Sequence, residues 1–331
     1  MEEMKEAIDK INSSIEILTN KNDENGLAAA YCQRANSHFL FCMFDEALED
    51  YDKSIELFQK LNDEKKPVNI ASCAQAYSGR SFVAEYFGDY ENAINYISTS
   101  IDIWIHVLEK GLSNDEKELQ KDYSFRGQLF NYIGNYDDAL IDCKKSVEMG
   151  KKLIQTDKDF DPESLASAYV HLGQSLEAQM NFTEANINYT EAIRIYEKMY
   201  KDECEIDIDS FALTYMNRGA NYIALEEISN ALSDCNRCIE IHEMIKQSNK
   251  QISPFDNAAV FRNRSICHKS NGSINEAIND RLMAVRILKE NIEDIPELKT
   301  LYDDFLSELK ELVIENGDSS LASKILNDVI N

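Results

Sequence analysis

An alanine that returns every 46 residues is the feature that most constrains how this chain can fold. Three other positions keep a fixed distance from it: an aromatic residue sixteen before, a small residue twelve before, and a branched aliphatic residue eight after. The marker alanines are Ala47, Ala93, Ala139, Ala185, Ala231 and Ala277. The small residues are Ala35, Ser81, Gly127, Gly173, Gly219 and Ser265. Such a period is typical of stacked repeat proteins, whose units cannot bury their apolar faces alone.

Each repeat is predicted to be a pair of antiparallel α-helices. In residues 211–242, Tyr215 and Gly219 lie four apart on one helix, and Ala231 and Cys235 lie four apart on the next. Residues at this spacing share one helix face. Small side chains there let two helices approach closely. We therefore expect an all-α solenoid of antiparallel helix pairs.

The break between the two helices of a repeat carries a glycine in three of the six repeats. These residues are Gly88, Gly134 and Gly272. A glycine at this point is typical of a helix that ends on a left-handed residue. Met180 and Glu226 occupy the same slot in the fourth and fifth repeats. The sequence predicts that those two turns close in a different way.

The recurring motif resembles the tetratricopeptide repeat. It reads aromatic-x2-(Leu/Arg)-small-x2-(Tyr/Phe), then Ala-x3-(aromatic/Cys)-x2-small, and it occurs six times over about residues 27–291. The usual unit of that family is ~34 residues, so this chain departs from the family in repeat length. The resemblance implies a right-handed superhelix. It also implies a concave groove lined by the first helix of each repeat.

The two ends of the chain are expected to cap the array. Residues 1–22 read as one amphipathic helix that mimics the second helix of a repeat, although Ala7 precedes Ala47 by 40 residues. Residues 296–331 read as a degenerate helix pair, with Ala322 in the marker position. The prediction is one continuous solenoid domain: the N-terminal capping helix, six helix pairs over residues 27–291, and the C-terminal cap.

The net charge of −26 disfavours nucleic acid and anionic membrane surfaces, because phosphate binding needs clustered lysine and arginine. No apolar stretch approaches the length of a membrane span, and the N-terminal residues lack the apolar run of a signal peptide. Several of the eight cysteines fall at helical core positions, which suits reduced thiols. We expect a cytoplasmic protein without a cofactor. The sequence leaves open whether it forms homo-oligomers.

An arginine and an aspartate recur together and predict an ion pair across the two helices of one repeat. The pairs are Arg34 with Asp50, Arg126 with Asp142, Arg218 with Asp234, and Arg264 with Asp280. The fourth repeat has Leu172 and Asn188 in these slots, and the second keeps Arg80 but has Tyr96. Because the two residues occur together in four repeats and are both replaced in the fourth, a structural bridge is the preferred interpretation. Ligand binding is the minor one.

No constellation of catalytic residues is visible, so an enzyme is not expected. Cys235, Cys238 and His242 have the spacing of metal ligands on one helix face. Zinc needs a fourth ligand or a water, and no fourth protein ligand accompanies them. Their slots hold packing residues in the sister repeats. We therefore predict neither a catalytic nor a metal site.

The expected partner is a protein or peptide held in the groove, because amides can bond a peptide backbone while aromatic side chains fill pockets. The candidate groove residues are Asn36, Phe39, Phe82, Tyr86, Gln128, Asn131, Tyr132, His171, Gln174, Asn217, Arg262 and Asn263. The competing interpretation is that longer helices close the groove and these side chains only pack. Some family members clamp a terminal carboxylate with Lys, Asn and Arg. Only Asn217, Arg262 and Asn263 come near that pattern here.

Two other functions remain open at this stage. The chain could be a regulatory or sensor subunit that changes shape on binding a peptide and controls an enzyme. It could also bind a basic protein through the acidic segments between repeats. The second alternative predicts binding that collapses with salt, since exposed charges are screened beyond about 10 Å at 0.1 M.

Overall fold

The computed structural model describes residues 2–248 and 250–315, which form fourteen α-helices and no β-strand. The helices are α1 (Glu2–Asn20), α2 (Glu24–Leu40), α3 (Phe44–Asp63), α4 (Ile70–Tyr86), α5 (Tyr90–Glu109), α6 (Glu116–Tyr132), α7 (Tyr136–Thr156), α8 (Pro162–Ala178), α9 (Phe182–Lys201), α10 (Ile208–Ala224), α11 (Ile228–Gln247), α12 (Pro254–Ser270), α13 (Ile274–Asn291) and α14 (Leu298–Glu315). The predicted all-α architecture is confirmed.

The helices alternate in a fixed register. The first helices of the six repeats are α2, α4, α6, α8, α10 and α12, and each has 17 residues. They begin at 46-residue intervals from Glu24, and the second helices α3, α5, α7, α9, α11 and α13 do so from Phe44. Where both helices of a repeat lie in one unit, they pack against each other as a pair. The chain is a solenoid of helix pairs.

Backbone contacts divide the chain into two compact units, Met1–Leu172 and Gly173–Asn331. In unit 1, α1 packs on α2, and α3 and α5 each pack on the first helix that follows them. In unit 2, α9 packs on α10, α11 on α12, and α13 on α14. The predicted second helix of the C-terminal pair, with Ala322, lies outside the described residues.

Small residues form the contact between the two helices of a repeat. All six marker alanines are fully buried. Gly127 and Gly173 leave no room for a side chain, because a Cβ would lie 2.4 Å from the Cys143 Sγ and 2.6 Å from the Tyr189 ring. In the repeats that carry serine instead, Ser81 Oγ donates to the Ala93 carbonyl at 2.7 Å. Ser265 Oγ donates to the Ala277 carbonyl at the same distance.

The prediction for the turns at Met180 and Glu226 is wrong. Both residues are left-handed, with φ of 59° and 60°, and Gly88 in the same slot has φ of 75°. The hydrogen bonds also match. The Met180 amide donates to the Glu177 carbonyl and the following amide to the Leu176 carbonyl, at 2.8 and 2.9 Å. A non-glycine residue enters this region at a cost of about 1–2 kcal/mol, and the packing of the helix pair imposes it here.

The four predicted arginine–aspartate bridges are present, and each is bidentate. The third nitrogen of each arginine, Nη1, donates to a polar side chain on the preceding helix. The acceptors are Asn12, Ser98, Thr190 and Asn236. In the second repeat, Arg80 instead donates to Asp52 at 2.7 Å and lies over the Tyr96 ring. In each of the four repeats with the full bridge, one guanidinium group therefore joins three helices.

Candidate functional site

The predicted groove residues are all exposed or half-buried, and none lies in the core. In unit 1 they lie on α2, α4, α6 and the first part of α8. In unit 2 they lie on α8, α10 and α12. Tyr86 and Tyr132 are the most notable, because 56% and 50% of their surfaces are exposed. Such aromatic side chains are available for contact with another molecule.

An aromatic row crosses the first helices of unit 1. We define it as Phe39 on α2, Phe82 on α4 and Phe125 on α6. The ring centroids of Phe39 and Phe82 are 6.2 Å apart, and those of Phe82 and Phe125 are 4.2 Å apart. Tyr86 stacks on Phe44 beside the row, with centroids 3.6 Å apart. Phe39 and Phe82 are half-buried and Phe125 is buried, so the row presents a partly exposed apolar strip that ends in the core.

The predicted amide side chains make hydrogen bonds within the protein. The Tyr51 hydroxyl donates to Asn36 Oδ1 at 2.6 Å, and Gln128 Nε2 donates to the Tyr132 hydroxyl at the same distance. Asn131 Nδ2 donates to a main-chain carbonyl of α8 at 3.2 Å. These bonds fix the amide orientation.

His171 is half-buried, and its Nδ1 lies 3.0 Å from the Ser124 hydroxyl. Burial lowers the pKa of His171 to about 4, because removing the imidazolium from water disfavours the charged form. The imidazole is therefore neutral at physiological pH. It offers polar contacts without charge.

A cavity of about 300 Å³ opens on the first-helix side of unit 1. Phe39 and Phe82 of the aromatic row line it, together with Trp104 from α5. Its polar lining includes Asn36, Gln75, Ser78, Glu118 and Asp122. We call this space the groove cavity. Of the predicted residues, only Asn36, Phe39 and Phe82 line it.

The residue that sequence reasoning missed is Asp122. Its slot holds Ala30, Ala76, Ala168, Thr214 and Val260 in the other five repeats. A single carboxylate in a slot that is small or apolar in the other five repeats could have identified it from the sequence. Burial raises the pKa of Asp122 to about 7, although the hydroxyls of Ser100 and Ser78 oppose the shift.

In unit 2, Arg262, one of the three residues that come near the carboxylate-clamp pattern, is already paired within the protein. Arg262 Nε and Nη2 donate to the carboxylate of Glu308 on α14, at 3.0 and 2.6 Å. The same guanidinium lies 5.4 Å from the centre of the Phe305 ring. Asn217 and Asn263 occupy the same slot in successive repeats, and both are half-buried. Arg262 thus links α12 to α14, which the sequence did not predict.

A second cavity, of about 540 Å³, lies on a different face of unit 1. Phe58, Cys73, Tyr77 and His106 are among its lining residues. It is larger than the groove cavity, but it includes none of the predicted residues. Its lining comes from α3, α4, α5 and the segment between α3 and α4.

The cysteine and histidine residues with metal-like spacing do not form a cluster. Cys238 Sγ lies 3.7 Å from His242 Nε2. Burial raises the pKa of Cys238 to about 12, whereas zinc binds the thiolate. Within residues 2–248 and 250–315, no three potential ligands come together around a metal position. All eight cysteines are free thiols.

Comparison with known proteins identifies the fold. No protein-family model matches the sequence, and no curated protein matches it. The signal transduction ATPase PH0952 from Pyrococcus horikoshii, which carries a tetratricopeptide repeat sensor, is 16% identical with a TM-score of 0.63, over 96% of this chain and 43% of that one. The apo form of RapI is 13% identical with a TM-score of 0.61, over 98% and 88%. A Rap protein complexed with Competence and Sporulation Factor is 14% identical with a TM-score of 0.52, over 86% and 77%.

These similarities show a tetratricopeptide-like helical repeat fold. The chain spans less than half of the PH0952 protein. In the part of the chain that the structure describes, no helix combines the length and the apolar character needed to cross a membrane.

Proposed function

We propose that this protein is a non-catalytic scaffold that binds a protein or peptide on the first helices of unit 1. The observation that carries the proposal is the aromatic row, with the exposed Tyr86 beside it and the exposed Tyr132 on the next first helix, α6. Aromatic side chains contribute a large part of the binding energy in many protein interfaces. Exposed aromatic side chains such as Tyr86 and Tyr132 next to partly exposed apolar surface are typical of interaction sites.

The fold supports a binding role of this kind. One structurally similar Rap protein was solved in a complex with Competence and Sporulation Factor. We extend binding to this chain as a proposal. We also propose that the chain is a long-repeat variant of the tetratricopeptide family that acts in the cytoplasm, with α1 and the C-terminal helices as caps of one solenoid.

A sensor role is the second candidate, because the similar PH0952 protein contains a repeat described as a sensor. Such a role needs a shape change on binding and an enzyme to control. Binding of a basic protein to the acidic inter-repeat segments is the third. Binding of a basic protein in this way would depend far more on salt concentration than binding through aromatic rings would.

The test uses two double variants, one that removes exposed side chains from first helices and one that removes them from second helices. Tyr86→Ala/Tyr132→Ala removes aromatic surface from first helices. Ile141→Ala/Ile187→Ala is the control, because these isoleucines are 64% and 61% exposed on second helices. A partner is isolated from the source cells, purified, and bound to each variant at low and high salt in a calorimeter.

We expect the tyrosine variant to lose the partner at both salt concentrations while the isoleucine variant keeps it. Loss of binding in the isoleucine variant alone would place the interface on the second helices and contradict the proposal. Binding that is lost at high salt but is unchanged in both variants would favour an interface on the acidic segments between repeats. Circular dichroism confirms that both variants stay folded.

A further inference from the structure

Asp122 is buried without a structural need for its charge. Only 3% of its surface is exposed. In the equivalent slots, Ala76, Ala168 and Thr214 are fully buried and complete the same packing. Burying a carboxylate is costly unless a cation or several donors stabilise it. Its presence in this one repeat therefore points to a use other than packing.

The direct hydrogen-bond partners of Asp122 are two serine hydroxyls. Ser78 Oγ donates to Oδ1 at 2.8 Å, and Ser100 Oγ lies 2.5 Å from Oδ2. Ser100 Oγ also lies 2.9 Å from the Ala74 carbonyl, so its single hydrogen has two competing acceptors. None of the lysine and arginine residues that the structure describes forms an ion pair with Asp122.

The other buried aspartates show the contrast. They are Asp50, Asp142, Asp234 and Asp280, and each accepts two hydrogen bonds from an arginine. Asp122 is the fifth buried aspartate of the described chain, and no arginine of the described chain pairs with it. Without such a partner the carboxyl takes up a proton more readily than an ordinary aspartate does, and a cation from outside could replace that proton.

The groove cavity gives such a cation a route and a binding environment. Asp122 lines the cavity, and Glu118, one helical turn earlier on α6, adds a second carboxylate. Phe39, Phe82 and Trp104 line the same space. Aromatic faces attract cations, and the attraction is stronger where the contact is desolvated. A volume of about 300 Å³ suits a side chain better than a whole folded element.

We propose that the groove cavity binds a basic side chain of the protein or peptide partner, and that Asp122 and Glu118 are its acidic receptors. Arginine is favoured over lysine, because its planar guanidinium can pair with a carboxylate and stack on an aromatic ring at once. The inference rests on the proposed function, since it names the chemistry of the partner at that surface. A cation next to Asp122 would also stabilise its ionised form.

The test begins with small probes and the full 331-residue chain. Nα-acetyl-arginine methylamide is the cationic probe, and the citrulline analogue is its neutral counterpart of nearly equal shape. Binding is measured by ligand-observed NMR up to millimolar concentration. Asp122→Ala installs the residue of the sister repeats, so the fold should be retained. Glu148→Ala, an exposed position on α7, controls for the loss of one negative charge.

We expect the arginine probe to bind the wild-type protein about tenfold more tightly than the citrulline probe, the effect of one charge-assisted contact. Asp122→Ala should remove this preference, and Glu148→Ala should keep it. Absence of arginine binding to the wild type, or equal binding of both probes, would overturn the inference. Unchanged arginine binding by Asp122→Ala would also overturn it.

Stability without ligand is an independent readout. If Asp122 serves binding, Asp122→Ala should raise the urea midpoint, because it removes a buried carboxylate from a slot that alanine fills elsewhere. A lower midpoint would mean that Asp122 has a structural role and would count against the inference.

The partner assay separates this inference from the proposed function. If Asp122→Ala keeps the partner while Tyr86→Ala/Tyr132→Ala loses it, the scaffold proposal stands and the cavity inference fails. If the arginine probe binds but the tyrosine variant keeps the partner, the cavity inference stands and the proposed surface is wrong.

Discussion

Arg218 donates from Nε and Nη2 to the two carboxylate oxygens of Asp234, at 2.8 Å each. Its remaining nitrogen, Nη1, donates to the Thr190 hydroxyl at 3.0 Å. Thr190 lies on α9, Arg218 on α10 and Asp234 on α11. One guanidinium group therefore fixes the register of a helix pair and attaches it to the preceding helix. Because Asp234 is buried, loss of the arginine should lower the free energy of unfolding by more than the loss of its hydrogen bonds alone.

Replacing Arg218 with leucine should destabilise unit 2 by about 3–5 kcal/mol, because it leaves the Asp234 carboxylate buried and unpaired. The double variant Arg218→Leu/Asp234→Asn should recover much of this loss. It reproduces the combination found in the fourth repeat, where Leu172 and Asn188 occupy the two slots. Urea unfolding followed by circular dichroism measures both effects.

The control for that prediction is the exposed pair Arg194–Glu191, whose side chains are 67% and 38% exposed. Arg194→Leu should cost less than about 1 kcal/mol, as exposed ion pairs usually do. Equal effects of Arg194→Leu and Arg218→Leu would contradict the role assigned to the bridge. A double variant no more stable than Arg218→Leu alone would do so as well.

Gly79→Ala should destabilise unit 1 by about 1–3 kcal/mol through overpacking. A Cβ at Gly79 would lie 2.2 Å from the Tyr51 ring. That ring is 2% exposed and its hydroxyl is bonded to Asn36, so it cannot move aside freely. Thermal unfolding gives the loss of stability.

Gly219→Ala is the matched control for Gly79→Ala. Its Cβ would meet its nearest neighbour, the Asp234 Cβ, at 3.3 Å. Alanine also favours the helix by about 1 kcal/mol relative to glycine at both sites. Gly219→Ala should therefore be close to neutral. If both variants lost the same stability, the Tyr51 contact would not be the cause.

The sequence predicts the helix pairs well because each repeat packs only on its neighbours. The spacing of the small residues Gly219 and Ala231 is thus enough to place two helices and the contact between them. The arginine bridges are predictable for the same reason, since an arginine and an aspartate occur together in these two slots in four of the six repeats.

The groove cavity is less predictable because three repeats contribute to it. Phe39, Trp104 and Asp122 come from separate segments, and no periodic pattern indicates that they line one space. Asp122 could have been found only as an exception to its slot. The prediction for the turn at Met180 is wrong because the repeat imposes a left-handed backbone conformation, which methionine itself disfavours.

Met180→Gly should stabilise the protein by about 1 kcal/mol. Met180 has φ of 59°, a region that costs an L-residue about 1–2 kcal/mol and a glycine little. Glycine loses part of this advantage through the greater freedom of the unfolded chain. The Met180 side chain is 79% exposed, so little packing is lost. The urea midpoint should rise.

The reverse substitution, Gly88→Ala, tests the same cause. Gly88 has φ of 75°, and a Cβ there would meet no atom within 4 Å. Only backbone strain can then act, and we expect a loss of about 1 kcal/mol. A neutral Gly88→Ala together with a neutral Met180→Gly would show that the turn conformation is not under strain.

Acidification should weaken unit 1 through His171. Burial holds its pKa in the folded protein at about 4, below the ordinary value of 6.5. The unfolded chain therefore takes up this proton at higher pH than the folded chain does. The stabilising contribution of neutral His171 is complete above pH 6.5 and is lost as the pH falls from 6.5 to about 4. The loss is on the order of 3 kcal/mol.

His171→Gln should make this decline shallower, because glutamine does not titrate and can still bond the Ser124 hydroxyl. His106→Gln, at an exposed position, is the control for the loss of one imidazole. Urea midpoints at a series of pH values measure the three curves. Asp122 titrates in all three proteins, so its contribution cancels in the comparison. Parallel curves for wild type and His171→Gln would mean that the imidazole accepts its proton equally well in the folded and unfolded chains, and that α8 does not shield it from water.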